Sequence, residues 1–152
     1  MRVLSIVMLV LLAACGGETP TGPDGPVVIT NVFRDTSSNI TSRRAEIVSR
    51  STRWETVWSE IRGTATRPVV DFEKNMVIVA ALGETADSCK HVRVTKVERN
   101  VGAITITIAE TRLPPNCTCP PNIVRPVHVV SIPRGATNAS FNWTSITEGT
   151  CN

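Results

Sequence analysis

The sequence predicts a mainly β domain of the α+β kind: an antiparallel sheet or sandwich with one amphipathic helix packed on it, cross-linked by disulfide bonds. Three observations carry this. Short runs rich in Val, Ile and Thr recur through residues 27–152, and several alternate apolar and polar residues as half-buried strands do. One segment, STRWETVWSEIRG (51–63), repeats apolar residues at the three- and four-residue steps of a helix. Of five cysteines, four fall in this part of the chain, an even number that suits a disulfide framework.

The chain opens MRVLSIVMLVLLAAC. Arg2 precedes an apolar run over 3–14, shorter than the roughly 20 residues a membrane-spanning helix needs. A basic start, a short apolar core and then small residues make the anatomy of a secretory signal peptide over 1–14. Leu12-Ala13-Ala14-Cys15 resembles the bacterial lipobox, and the resemblance implies that Cys15 is the lipidated residue of the mature protein. Gly16, rather than an acid, follows it, which favours the outer membrane where the cell has one. Residues 15–26 (CGGETPTGPDGP) read as the lipidated cysteine and a flexible tether, because Gly, Pro and Thr cannot bury apolar surface. At about 3.1 Å per residue the tether reaches roughly 30 Å. The expected location is the cell envelope, outside the cytoplasm, on a lipid anchor.

Residues 27–152 form one domain's worth of chain, long enough for a core of its own. Residues 26–33 (PVVITNVF) are β-branched and predict a strand, and AEIVS (45–49) a shorter one. NMVIVAALG (75–83) is apolar throughout and predicts a central strand buried on both faces. HVRVTKVERNVGAITITIAET (91–111) predicts a hairpin. Val92 and Val94, then Ile104, Ile106 and Ile108, mark its apolar face, and Asn100-Val101-Gly102 forms the turn. PVHVVSIP (126–133) and ASFNWTSIT (139–147) complete the series. In the helix, Thr52 and Glu55 have capping-box spacing. Trp54, Val57, Trp58 and Ile61 form the apolar face, with both Trp read as core, and Gly63 is the stop.

The net charge of +3 is too small to argue for nucleic acid. Arg34, Arg43, Arg44, Arg50 and Arg53 read as a solvated basic face. Four Asn-X-Thr/Ser sequons (Asn39, Asn116, Asn138, Asn142) follow from a Thr- and Ser-rich composition. His91 and His128 are the two histidines, each inside a strand, so a Ser-His-Asp triad would have to use one of them. The sequence contains no nucleophile elbow, Walker loop or dinucleotide cradle. Asp71 and Glu73 read as solvated rather than as a catalytic pair. The expectation is a non-catalytic protein with no metal and no cofactor.

The cysteines carry the strongest chemical signal. Cys89, His91, Cys117 and Cys119 could be drawn as a zinc set, but the C-x-C and C-x-H spacings are shorter than structural zinc sites use. Outside the cytoplasm such cysteines oxidise. A Cys117–Cys119 bond would close a strained ring. Each therefore pairs with Cys89 or with Cys151, in either assignment. The loop PPNCTCPP (114–121) becomes a double anchor.

The order of these pieces resembles the C-terminal domain family of the protease complex subunit PrcB. The residues that carry the resemblance span 54–134. They are the Trp-bearing helix, Asp71-Phe72 before an apolar strand ending at Gly83, the segment 85–91, the Val92–Ile108 hairpin, the Pro- and Cys-containing loop, and the closing 126–133 strand. Where the family has Gly-Gly-Tyr, this chain has Asp87-Ser88-Cys89-Lys90, and a disulfide through Cys89 stands in for that turn. The resemblance implies a membrane-anchored accessory or interaction domain that binds or stabilises a secreted or surface protease. The alternative is a small-ligand or glycan-binding domain using an exposed Trp such as Trp143.

Overall fold

The computed structural model describes residues 23–150. Cys15, the signal, most of the tether and Cys151 lie outside the described residues. The chain runs β1 (Gly25–Pro26), β2 (Thr30–Asp35), β3 (Arg44–Val48), α1 (Ser51–Arg62), β4 (Asn75–Ala81), β5 (His91–Asn100), β6 (Ala103–Arg112), β7 (Val127–Pro133) and β8 (Ala139–Thr147). These make two four-stranded sheets, ordered β1-β5-β6-β8 and β2-β7-β4-β3. The sheets stack face to face and α1 covers the outer face of the second, so the domain has three layers.

β4 sits inside that stack because its sequence is apolar on both sides of the pleat. Met76, Ile78 and Ala80 join Val130 and Ile132 of β7 against Val92, Val94, Ile104, Ile106 and Ile108 of the facing sheet. Val77, Val79 and Ala81 turn the other way, onto Trp54, Val57, Trp58 and Ile61 of α1. All six β4 residues are wholly buried. The two Trp are core, as their spacing implied. Trp58 meets Phe33 edge-on at 5.0 Å, and the indole N–H groups donate to Pro68 O (3.1 Å, from Trp54) and Ala65 O (2.8 Å, from Trp58). Those bonds satisfy the one polar atom each ring carries into the interior.

The strands and the hairpin form where their patterns place them, with four differences. First, the helix begins two residues earlier than a Thr52 cap requires. Arg50 is the N-cap, with no side-chain capping bond, so Thr52 lies within the first turn and Glu55 pairs with Arg67 at 2.8 Å instead of reaching back. The stop at Gly63 stands, in a left-handed backbone (φ 62°) that a side chain would strain. Second, Gly25–Pro26, the last two residues of the stretch read as tether, form a strand that pairs with β5, and of the 26–33 run only Thr30 onward, as Thr30–Asp35, pairs with β7. Third, β5 carries a bulge between Val94 and Lys96 that resets its alternation. Val97 and Arg99 then face inward, and Arg99 is buried, donating to the carbonyls of Pro133 and Arg134. Fourth, β8 runs parallel to β6, the one parallel pairing in sheets that are otherwise antiparallel. The chain leaves β6, crosses to the other sheet as β7, and returns, so the crossover that parallel strands need is a strand of the opposite layer.

Gly83 ends the β4 segment at φ 78°, where a Cβ would come within 2.7 Å of the Ser42 backbone. A side chain there would be both strained and in collision.

His128 on β7 ties the sheets together. The backbone N–H of Val94 can only donate, so the Nδ1 it meets at 2.9 Å accepts, and Nε2–H donates to Asn31 Oδ1 at 3.1 Å. The ring is therefore neutral. Burial, aided by the charges of Arg34 and Arg93, lowers its pKa from 6.5 to about 4. The unfolded chain takes up this proton near pH 6.5 and the folded one only near 4, so stability must fall as pH drops through that window. Chemical denaturation between pH 7 and pH 4 will show a loss of at most about 3 kcal/mol from this group. His128→Gln will flatten the slope. An unchanged slope in that variant contradicts the assignment.

Candidate interaction surface

The cysteine loop and the end of the β6–β8 pair form one surface. Asp87 begins it: its Oδ1 accepts the Cys89 N–H at 3.0 Å, and its own N–H donates to Thr85 Oγ1 at 3.3 Å. These short side-chain-to-backbone bonds are why Asp and Thr suit such a turn. The turn presents Cys89 to Cys119, and the two are joined as a disulfide with Cα atoms 5.7 Å apart. Ser88 Oγ donates to Pro120 O at 2.7 Å, and Thr85 and Val124 exchange two backbone bonds of 2.9 Å. The proline-bordered loop is thus fastened at both flanks to the segment before β5.

Cys117 is also disulfide-bonded. Its expected partner, Cys151, lies outside the described residues. Asp87 and the sulfurs of Cys89 and Cys119 lie within 4.8 Å of one another. Because the sulfurs are bonded to each other, neither is a thiolate and the trio cannot ligate a metal in this oxidised form. The zinc arrangement drawn from the sequence is closed off in the same way at Cys89, Cys117 and Cys119.

Beside the bridge opens a cavity of about 500 Å³ lined by Asp87, Arg112, Leu113, Pro114, Cys117 and Thr147. From it β8 runs along the rim of the sheet. Trp143, the sequence candidate for an exposed ring, is instead half-buried, with the Arg43 guanidinium 4.7 Å above its face. Arg43 pairs with Glu110, which also takes Lys90 at 2.9 Å. Those two cations hold the Glu110 carboxyl below its ordinary value against the opposing effect of burial.

The other sequence candidates are separate from this surface. His91 borders a smaller cleft of about 340 Å³ with Arg34, Val92 and Pro126, where burial and the nearby Arg34 and Arg93 lower its pKa. Both ring nitrogens of His128 are occupied by the structural bonds described above, so it is not placed to act as a base. Asp71 and Glu73 are not a catalytic pair either. Asp71 Oδ1 accepts the Glu73 N–H at 3.0 Å, forming the turn before β4, and that bond lowers the Asp71 pKa. Three of the five arginines read as a basic face are engaged in ion pairs: Arg44 with Glu60, Arg53 with Glu46, and Arg43 with Glu110, while Arg34 and Arg50 are exposed. The cavity joins residues from Asp87 to Thr147 and the Arg43–Trp143 stack joins residues 100 apart in the chain, and no sequence pattern marks either.

Compared with protein-family models, curated proteins and solved structures, the chain has no significant match to any of the three.

The bridge closes a long loop, with its cysteines 30 residues apart. Replacing both, Cys89→Ser with Cys119→Ser, will cost about 2–4 kcal/mol in urea unfolding. Partial reduction with stepwise alkylation, read by mass spectrometry, will pair Cys89 with Cys119 and Cys117 with Cys151. Recovery of Cys89 joined to Cys117 contradicts this arrangement.

Proposed function

We propose that this is a non-catalytic, membrane-anchored lipoprotein whose domain binds or stabilises a partner protein, a secreted or surface protease being the partner that the PrcB-like pattern implies. The observation that carries the reading is the Cys89–Cys119 bridge, which holds an exposed, proline-bordered loop beside an open cavity at one end of the sandwich. A rigid loop of this kind loses little conformational freedom on binding, which favours a recognition role. The histidines fit the same reading, since one is locked between the sheets and the other borders a different cleft. The lipobox-like Leu12-Ala13-Ala14-Cys15 supports a lipid anchor in the cell envelope, with the outer membrane favoured by Gly16. The Asp71-Phe72 turn, the Gly83 strand end and the cysteine loop support the PrcB-like relationship by their order along the chain.

A second reading is binding of a small ligand or glycan. The cavity of about 500 Å³ favours it, being within the usual range of ligand sites.

Affinity capture of the intact lipoprotein from native membranes separates the two. The first reading expects an extracytoplasmic protease or its complex to be retained, and to be lost when Cys89 and Cys119 are both replaced by Ser. It also expects Cys15→Ser to release the protein from the membrane fraction. Recovery of no protein partner, together with ligand-sensitive Trp fluorescence, would favour the second reading and count against the first.

A further inference from the structure

The rim of β8 differs from every other strand edge among the described residues. Folded proteins guard sheet edges with charges, prolines, bulges or short strands, because an unpaired edge is a template for another chain. Here β2 has a bulge between Asn31 and Phe33 and carries Arg34 and Asp35. β3 is five residues long and carries Arg44 and Glu46. β1 is two residues long and includes Pro26, and the part of β5 beyond it is capped by His128 at Val94. β8 has none of these guards. Its nine residues, ASFNWTSIT, contain no charge and no proline, and they pair with β6 from Ala139 to Thr147 without a register shift.

The direction of the backbone groups follows from the ladder. Ile104 N–H donates to Asn138 O, and Glu148 N–H donates to Arg112 O, both at the β6 side. Parallel pairing alternates, so the even-numbered residues of β8 bond to β6. Ala139, Phe141, Trp143, Ser145 and Thr147 then point their N–H and C=O groups outward, where no described residue meets them. The strand ends at the cavity, beside Arg112, which has no carboxylate partner among the described residues. Arg43 and Lys90 share the single carboxylate of Glu110. Arg93 pairs with Glu148 just beyond the strand and Asp87 also lines the cavity, so the rim carries four cations against three carboxylates, a surplus of one.

We propose that the outer edge of β8 is a strand-addition site for an extended segment of a partner protein, with an acidic group on that segment reaching Arg112. Main-chain bonds supply affinity in this mode and flanking side chains supply selectivity. A second copy of this chain fits less well. Trp143 is the middle residue of β8, so two-fold pairing of the strand with itself sets Arg43, stacked on Trp143, against its own counterpart. The inference rests on the reading of the domain as a protein-binding module and names how that module binds.

The test uses the full chain in detergent and two synthetic peptides, each an alternating Thr-Val segment flanked at both ends by Asp or by Lys. Amide hydrogen exchange is read by NMR. The Asp-flanked peptide is expected to slow exchange at Phe141, Trp143 and Ser145 by about tenfold or more, and to bind at least about tenfold more tightly than the Lys-flanked one. Ser145→Pro removes an outward donor and leaves the β6 ladder intact. It is expected to abolish the effect while the Ile104, Ile106 and Ile108 amides stay protected. Should that variant unfold, Ser145→Glu places a negative charge beside the same edge and is expected to weaken binding of the Asp-flanked peptide. No change at the outward amides overturns the site. Equal binding of the two peptides overturns the acidic partner. Protection that rises with protein concentration alone assigns the edge to a second copy. A partner captured equally by parent and Ser145→Pro overturns the edge while leaving the binding module standing. Capture of nothing by the parent overturns the module, and the peptide titration still reads the edge.

Discussion

β4 is buried on both faces, and both apolar cores of the domain close around it. One strand supplies Met76, Ile78 and Ala80 to the space between the sheets, and Val77, Val79 and Ala81 to the space beneath the helix. Neither apolar core closes without it. At about 25 cal/mol per Å² of apolar surface removed from water, a strand buried on both faces gains roughly twice the driving force of a half-exposed one. The helix is held by this packing rather than by its ends, since its N-terminus has no side-chain cap. The same packing fixes β7 alongside β4, and β7 carries His128, whose two ring bonds join the facing sheet and β2.

From that core the candidate surface follows by position. β6 and β8 end side by side, Arg112 opposite Thr147, and the loop leaving β6 turns back towards the segment before β5. The Cys89–Cys119 bridge and the Ser88–Pro120 bond fasten the loop there. A small domain gains from such a cross-link because it restricts the unfolded chain and also fixes the loop in the folded one. The rigid loop, the cavity beside Arg112 and the bare rim of β8 are then neighbours.

Much of the fold was legible in local pattern. The uninterrupted apolar run at 75–83 told of a doubly buried strand, the alternation of Ile104, Ile106 and Ile108 of a one-sided strand, and the Trp54-Val57-Trp58-Ile61 spacing of a single helix. What was not legible depends on distant chain. The bulge at Thr95 exchanges the inward positions of Lys96 and Val97, and its formation depends on pairing with β6. The parallel course of β8 depends on where β7 lies, and nothing in ASFNWTSIT records it. The capping-box spacing at Thr52 and Glu55 was present, but the helix begins at Ser51 and Arg67 takes Glu55. Of the candidate site, the even cysteine count pointed to a disulfide framework, of which the Cys89–Cys119 bond is present. It could not show which bond forms, because both permitted pairings close long loops of similar entropy. The cavity and the Arg43–Trp143 stack had no signal in sequence at all.

β4 organises two cores at once, and native-state hydrogen exchange of the full chain reads whether both depend on it. The amides of Val77, Ile78 and Val79 on β4, and of Val129 and Val130 on β7, are expected to exchange only through global unfolding. Their opening free energies should equal the stability measured by denaturant, and all should fall together when Ile78→Ala or Val79→Ala is introduced on either face. Exchange of the β4 amides through a smaller, local opening, or loss of protection on one side of β4 with the other unaffected, would contradict it.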